Sequence, residues 1–203
     1  MALDTAISIL TLGDIKQFIE GSTTGSSTYD EQYNQLVNGI SAHFNSYCGR
    51  VLKATTYSSS GVEPDYDGDG TAHLYLRNFP VSTSTVDVYV DSNWAFTTDT
   101  QLDSTSYRIN KNNGHIFLQS EVFTKGTMNV RVTYEAGYAD AVMPYDLKRA
   151  ALEACQFFWN REQKKDRIGV RNESFEGGSR SFETDMPWSV QKLLDLYRSP
   201  QYG

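Results

Sequence analysis

The sequence predicts an α+β fold: a small helical bundle with an inserted antiparallel β region, an extended C-terminal arm and a terminal helix. Three observations carry this. Apolar residues recur at helical spacing in segments near both ends of the 203-residue chain. They alternate at period two in the middle, from Val51 to Tyr138. The strands are gathered in that one stretch, the pattern of α+β rather than of alternating βαβ units.

In chain order, Thr11-Leu-Gly-Asp14 resembles a capping box with Asp in place of Glu and opens a helix over 11–20. Gly21 to Ser27 is a flexible linker by composition. Thr28-Tyr-Asp-Glu31 has the full capping-box pattern and opens a second helix over 28–48. Its Tyr33, Leu36, Val37, Ile40, Phe44 and Tyr47 follow one face, and Gly49 supplies the stop.

The β region covers 51–138. Leu74, Leu76 and the set Val86, Val88 and Val90 alternate with Tyr75, Asp87 and Tyr89. Asn112-Asn113-Gly114 signals a hairpin between Tyr107–Asn110 and His115–Leu118, and Val130–Tyr134 is a further strand. One curled antiparallel sheet of about five to six strands is expected.

Pro144 fits the first turn of a third helix over 144–161, with Leu147, Ala150, Ala151, Ala154, Phe157 and Phe158 on its apolar side. The three alanines allow another helix to approach closely. Glu162 to Asp185 is polar and almost without periodicity, longer than an ordinary loop. Pro187 starts a last helix carrying Trp188, Leu193, Leu194 and Tyr197. The expected organisation is a single domain over 1–161 and a C-terminal arm and helix over 162–203.

Composition removes several functions. The net charge is −7, and no dense Lys/Arg cluster exists, which argues against a nucleic-acid reader. Cys48 and Cys155 are the only cysteines, so there is neither a disulfide framework nor a zinc pattern. No basic segment precedes the short apolar stretch Ala6–Leu12, so no signal peptide is expected. No apolar run approaches bilayer length, and no membrane partner is expected.

Chemistry is equally sparse. His43, His73 and His115 lack partners at metal-binding spacing and read as surface or packing histidines. No nucleophile elbow, phosphate-binding loop or dinucleotide fingerprint is present. The chain is therefore expected not to be an enzyme, with no catalytic residues and no cofactor. The one exception is Asp65-Tyr-Asp67-Gly-Asp69-Gly70, which matches the first half of a calcium loop. Leu76 stands at the twelfth position, where a bidentate Glu is needed. A calcium-dependent binding or adhesion module using Asp65, Asp67 and Asp69 is the alternative reading. A tight turn with Asp side chains capping its backbone is the plainer one.

Several segments together resemble the head–tail connector (adaptor) family of tailed double-stranded DNA phages, which shades into head-completion proteins. They are Tyr47-Cys-Gly-Arg50, Tyr66-Asp-Gly-Asp-Gly70 leading to Leu74-Tyr-Leu76, Asn78-Phe-Pro80-Val81 and Val86-Asp-Val-Tyr-Val90. Tyr107-Arg108, Val130-Arg-Val-Thr-Tyr134-Glu-Ala-Gly137-Tyr138, Pro144-Tyr-Asp-Leu-Lys148, Arg167-Ile-Gly-Val170 and Leu193-Leu-Asp-Leu-Tyr-Arg198 follow in order. The resemblance spans about Leu12 to Arg198. It implies a structural virion protein made in the host cytoplasm and placed at the head–tail junction. It implies self-association into a ring, generally dodecameric, between the portal protein and a tail or head-closure protein. DNA would pass through without sequence-specific binding. Interface candidates are the apolar residues of the arm and last helix: Phe175, Phe182, Met186, Trp188, Leu193, Leu194 and Tyr197.

Overall fold

The computed structural model describes residues 2–58, 63–82, 85–163, 172–175, 178–181 and 186–199, with only the backbone of 172–175 and 178–181. The chain forms two compact units. One is Met1–Gly49 with Asp140–Gly203, and the other is Arg50–Ala139. The fold is α+β, with the antiparallel strands inserted between helices of one bundle.

The helical unit holds α1 (Leu12–Glu20), α2 (Asp30–Cys48), α3 (Tyr145–Gln163) and α4 (Trp188–Asp195). The capping box at α1 forms as read: Asp14 N donates to Thr11 Oγ1 at 3.1 Å and Thr11 N donates to Asp14 Oδ2 at 2.8 Å. The box expected at Thr28 and Glu31 does not form. Ser26 caps one turn earlier, taking the Thr28 N–H at 3.2 Å, so a 3-10 turn (Ser27–Tyr29) leads into α2. That turn supplies backbone geometry the Thr28 side chain would otherwise have provided. Gly49 ends α2 in the left-handed region at φ 65°, the conformation glycine adopts without strain.

Tyr33, Val37, Ile40, Phe44 and Cys48 form the buried stripe of α2. Ala150, Ala151 and Ala154 of α3 are all buried, and α3 packs against α1, α2 and α4. The small side chains permit this crowding on three sides. Trp159 closes the α2–α3 seam, its ring 4.7 Å from that of Tyr33 and 5.3 Å from that of Tyr29. Both cysteines lie in this core, and burial pushes the Cys155 thiol up to about 12.

Two short strands, β8 (Asn172–Phe175) and β9 (Gly178–Ser181), pair antiparallel within the segment read as aperiodic. Phe175 is the one large apolar residue among the eight, so there is no period-two alternation to read.

Among the described residues the β unit holds seven strands in two sheets, not the single sheet expected. β7 (Gly126–Ala136) pairs with β1 (Thr55–Tyr57), β2 (Tyr66–Gly68) and β4 (Asp87–Val90). β6 (His115–Leu118) pairs with β3 (His73–Tyr75) and β5 (Tyr107–Asn110). The inward residues of both sheets share one core, including Tyr66, Leu74, Val88, Ile116, Val130 and Tyr134. The 11-residue length of β7 lets strands distant in sequence share it, a pairing that period-two alternation does not specify. The β5–β6 hairpin stands where Asn112-Asn113-Gly114 places it, with Gly114 at φ 67°.

Candidate functional site

The aspartate loop comes first. Asp65 takes a two-point ion pair from Arg131, Nε–Oδ1 2.8 Å and Nη2–Oδ2 2.9 Å. Asp67 Oδ1 accepts the Met128 N–H at 2.6 Å. Asp69 Oδ1 accepts both the backbone N–H and the hydroxyl of Thr71, each at 2.8 Å, and these donors hold its carboxyl below the usual range. Each carboxylate thus has its own protein donor. Among the described residues no group of three or more His, Cys, Asp or Glu comes together to hold a metal ion. The glycines divide the turn's work. Gly70 supplies φ 85°, whereas a Cβ on Gly68 would lie 1.9 Å from Thr124 O.

A second constellation was invisible in the sequence. Glu63 is buried and accepts from Tyr66 Oη at 3.0 Å, Tyr134 Oη at 2.9 Å and Asn78 Nδ2 at 3.1 Å. The Arg77 guanidinium lies 3.9 Å away, over the Tyr66 ring. Burial pushes the Glu63 carboxyl upward, against the pull of those donors, and burial likewise raises both tyrosines. Beside this cluster only about 10 Å³ of space remains, barely one water. The polar groups are satisfied by one another, so the cluster is an internal brace between β2, β7 and the 76–80 segment. Glu63 and Tyr66 are close in sequence, but nothing local signals Tyr134.

The histidines divide. His43 is exposed on α2. His73 Nδ1 and His115 Nε2 meet at 2.9 Å on the exposed face of the β3–β6 pair, where Tyr75 stacks on His115 at 4.5 Å between ring centroids. Burial and the neighbouring His73 lower the His115 pKa.

The larger opportunities for contact are exposed apolar side chains. In the β unit Trp94 (63% exposed) and Met128 (43%) are held in the left-handed region at φ 58° and 50°, with Trp94 Nε1 donating to Thr127 O at 3.0 Å. In the helical unit Trp188 and Leu196 are 66% and 79% exposed, and Tyr145 is 91% exposed.

The arm and last-helix candidates do not all face the same way. Met186 and Leu194 are buried in the bundle. Leu193 and Tyr197 are half-buried, and Tyr197 Oη donates to Asp146 Oδ1 at 2.7 Å. Trp188 faces solvent. Phe182 and the side chain of Phe175 lie outside the described residues. Leu196, the most exposed apolar residue of this helix end, was not singled out from sequence. Its exposure follows from its place just beyond the α4 register that buries Val190 and Leu194.

No curated protein matches the chain. Among solved structures it is similar to a chain in the virion of a native gene transfer agent particle, at 15% identity and a TM-score of 0.58, covering 98% of this chain and 93% of that one. It is also similar to chains in the neck of an empty particle computed with C6 symmetry (16% identity, TM-score 0.56, 97% and 94% covered) and the neck of a native particle computed with C12 symmetry (15%, 0.52, 98% and 96%). These likenesses concern the fold and run nearly end to end. The family described as head completion protein matches residues 8–199, almost the whole chain. The resemblance drawn from the ordered motifs therefore holds: the chain belongs to the head completion protein family.

Proposed function

We propose that this head completion protein is one subunit of a ring at the head–tail junction of a tailed particle, joining the portal to the tail and letting genomic DNA pass. A structural connecting role without catalysis goes with the family. The observation that supports the reading most is the end-to-end likeness to neck chains in particles reconstructed with sixfold and twelvefold symmetry. The surface is consistent with assembly: large apolar side chains point outward in both units, while the buried Glu63 cluster has no room for a substrate.

A ring of roughly twelve copies, each at −7, carries on the order of −80 before screening, and an acidic lumen would keep DNA from adhering. The arm and helix over 162–203 are proposed to reach a neighbour or the portal, with Phe175, Phe182, Trp188, Leu193 and Tyr197 as contacts. Removing the whole segment is a poor test, because Val190 and Leu194 belong to the bundle core.

The decisive experiment is electron microscopy of the purified full chain mixed with its portal protein. Rings stacked coaxially on the portal are expected. A chain that stays monomeric and fails to bind the portal would overturn the reading. The calcium-module alternative gains nothing from the loop geometry, since Asp65, Asp67 and Asp69 each serve a separate donor.

A further inference from the structure

A groove of about 350 Å³ runs between α2 and α3, walled by Leu36, Ile40 and Phe158 and rimmed by His43 and Glu162. Gly39 lies in it, and a Cβ built there meets nothing within 4 Å. An exposed glycine inside a helix costs about 1 kcal/mol relative to alanine. At Gly39 no neighbour among the described residues requires it.

The same unit carries a matching knob. Helix α4 turns Val190 and Leu194 inward and leaves Trp188 and Leu196 largely exposed. Eight residues apart, these two are separated by about 12 Å along the helix. The groove, bounded by Gln32 and His43 on α2, is about 16 Å long. Lys192 lies on the same stripe, its Nζ 5.8 Å from the Trp188 ring, and Glu162 at the groove rim is acidic and exposed. The stripe is short enough to lie within the groove, both are apolar, and Lys192 and Glu162 are opposite in charge.

Within one subunit α4 is held away from this groove. The C-terminal end of α4 is fastened at the far end of the α2–α3 pair. Asp195 Oδ1 accepts from Tyr47 Oη at 2.8 Å, Tyr197 Oη reaches Asp146 Oδ1 at 2.7 Å, and Ser199 N donates to Cys48 O at 2.8 Å. No α4 residue lines the groove. A knob and a groove at different places on one subunit make a head-to-tail contact, the kind that closes rings.

We infer that the α2–α3 groove at Gly39 receives Trp188 of α4 and Leu196 at its C-cap from the adjacent copy, with Lys192 of that copy set against Glu162. This rests on the ring reading above and names its subunit contact, a helix laid in a groove around an aromatic anchor.

The test uses the full chain with its portal, wild type beside Gly39→Leu, Glu162→Lys, Lys192→Glu and the double charge swap. Gly39→Leu should melt no lower than wild type, because the added side chain meets open space and favours helix. Its ring formation should fall about tenfold or more. Each single charge change should weaken the ring, and the double swap should recover most of it. A disulfide between Cys introduced at Gly39 and at Trp188 should link chains into ladders. If wild type forms rings and Gly39→Leu forms them equally well, or if the disulfide closes within one chain, this contact is wrong while the ring stands. If wild type forms no ring, both fall together.

Discussion

The hydroxyl of Tyr134 lies within hydrogen-bonding distance of both carboxylate oxygens of Glu63, at 2.9 and 3.1 Å, across 71 residues of sequence. Tyr57 stacks on Tyr134 with 5.0 Å between ring centroids. The longest strand of the β unit is thereby tied to the segment that enters β2.

This brace has a pH signature. Burial raises the Glu63 carboxyl above its unfolded value, so folding favours the protonated form. Its contribution is full below the unfolded pKa and is lost as pH rises through the folded one. Glu63→Gln does not titrate. It should therefore gain stability relative to wild type as pH rises from about 4 through the shifted value and stay level beyond. Thermal melts of both proteins over that range check the sign. Tyr134→Phe removes a donor to a buried carboxylate and should cost about 1–3 kcal/mol.

The last helix separates packing from contact. Leu194 is fully buried, and Leu194→Ala should cost about 2–5 kcal/mol. Trp188 is 66% exposed, and Trp188→Ala should change monomer stability by no more than about 0.5 kcal/mol. Urea denaturation of the two variants distinguishes them. Equal losses would mean that Trp188 serves the bundle.

Two threonines in similar motifs should behave differently. Thr11 caps α1 through its hydroxyl, and Thr11→Ala should cost about 0.5–2 kcal/mol. Thr28 caps no helix start, so Thr28→Ala should cost only a few tenths of a kcal/mol. Denaturation midpoints with unchanged slopes would confirm the difference.

Calcium should leave the melting temperature of the chain unchanged, because the Asp65 carboxylate is engaged by Arg131 and Asp67 and Asp69 hold backbone N–H groups. A ligand that binds the native state raises stability by mass action. A rise of several degrees in millimolar calcium, abolished by chelator, would show that the loop rearranges to bind the ion.

The sequence by itself determined the order and type of the main elements, because each depends on neighbours a few residues away. The α1 capping box, the stop at Gly49, the alanine face of α3 and the Asn-Asn-Gly hairpin are local devices. The ordered motifs were also enough to indicate the family. Only the tertiary structure decided what depends on pairs far apart: the division of seven strands into two sheets around β7, and the Glu63–Tyr66–Tyr134 brace. It also decided which side of α4 turns inward. Helical period places Trp188 and Leu194 on one short helix with Leu196 at its end, but the packing of α4 against α2 and α3 buries Leu194 and leaves the other two to solvent. Period gives the spacing along an axis; the rotation about that axis comes from the neighbours it meets.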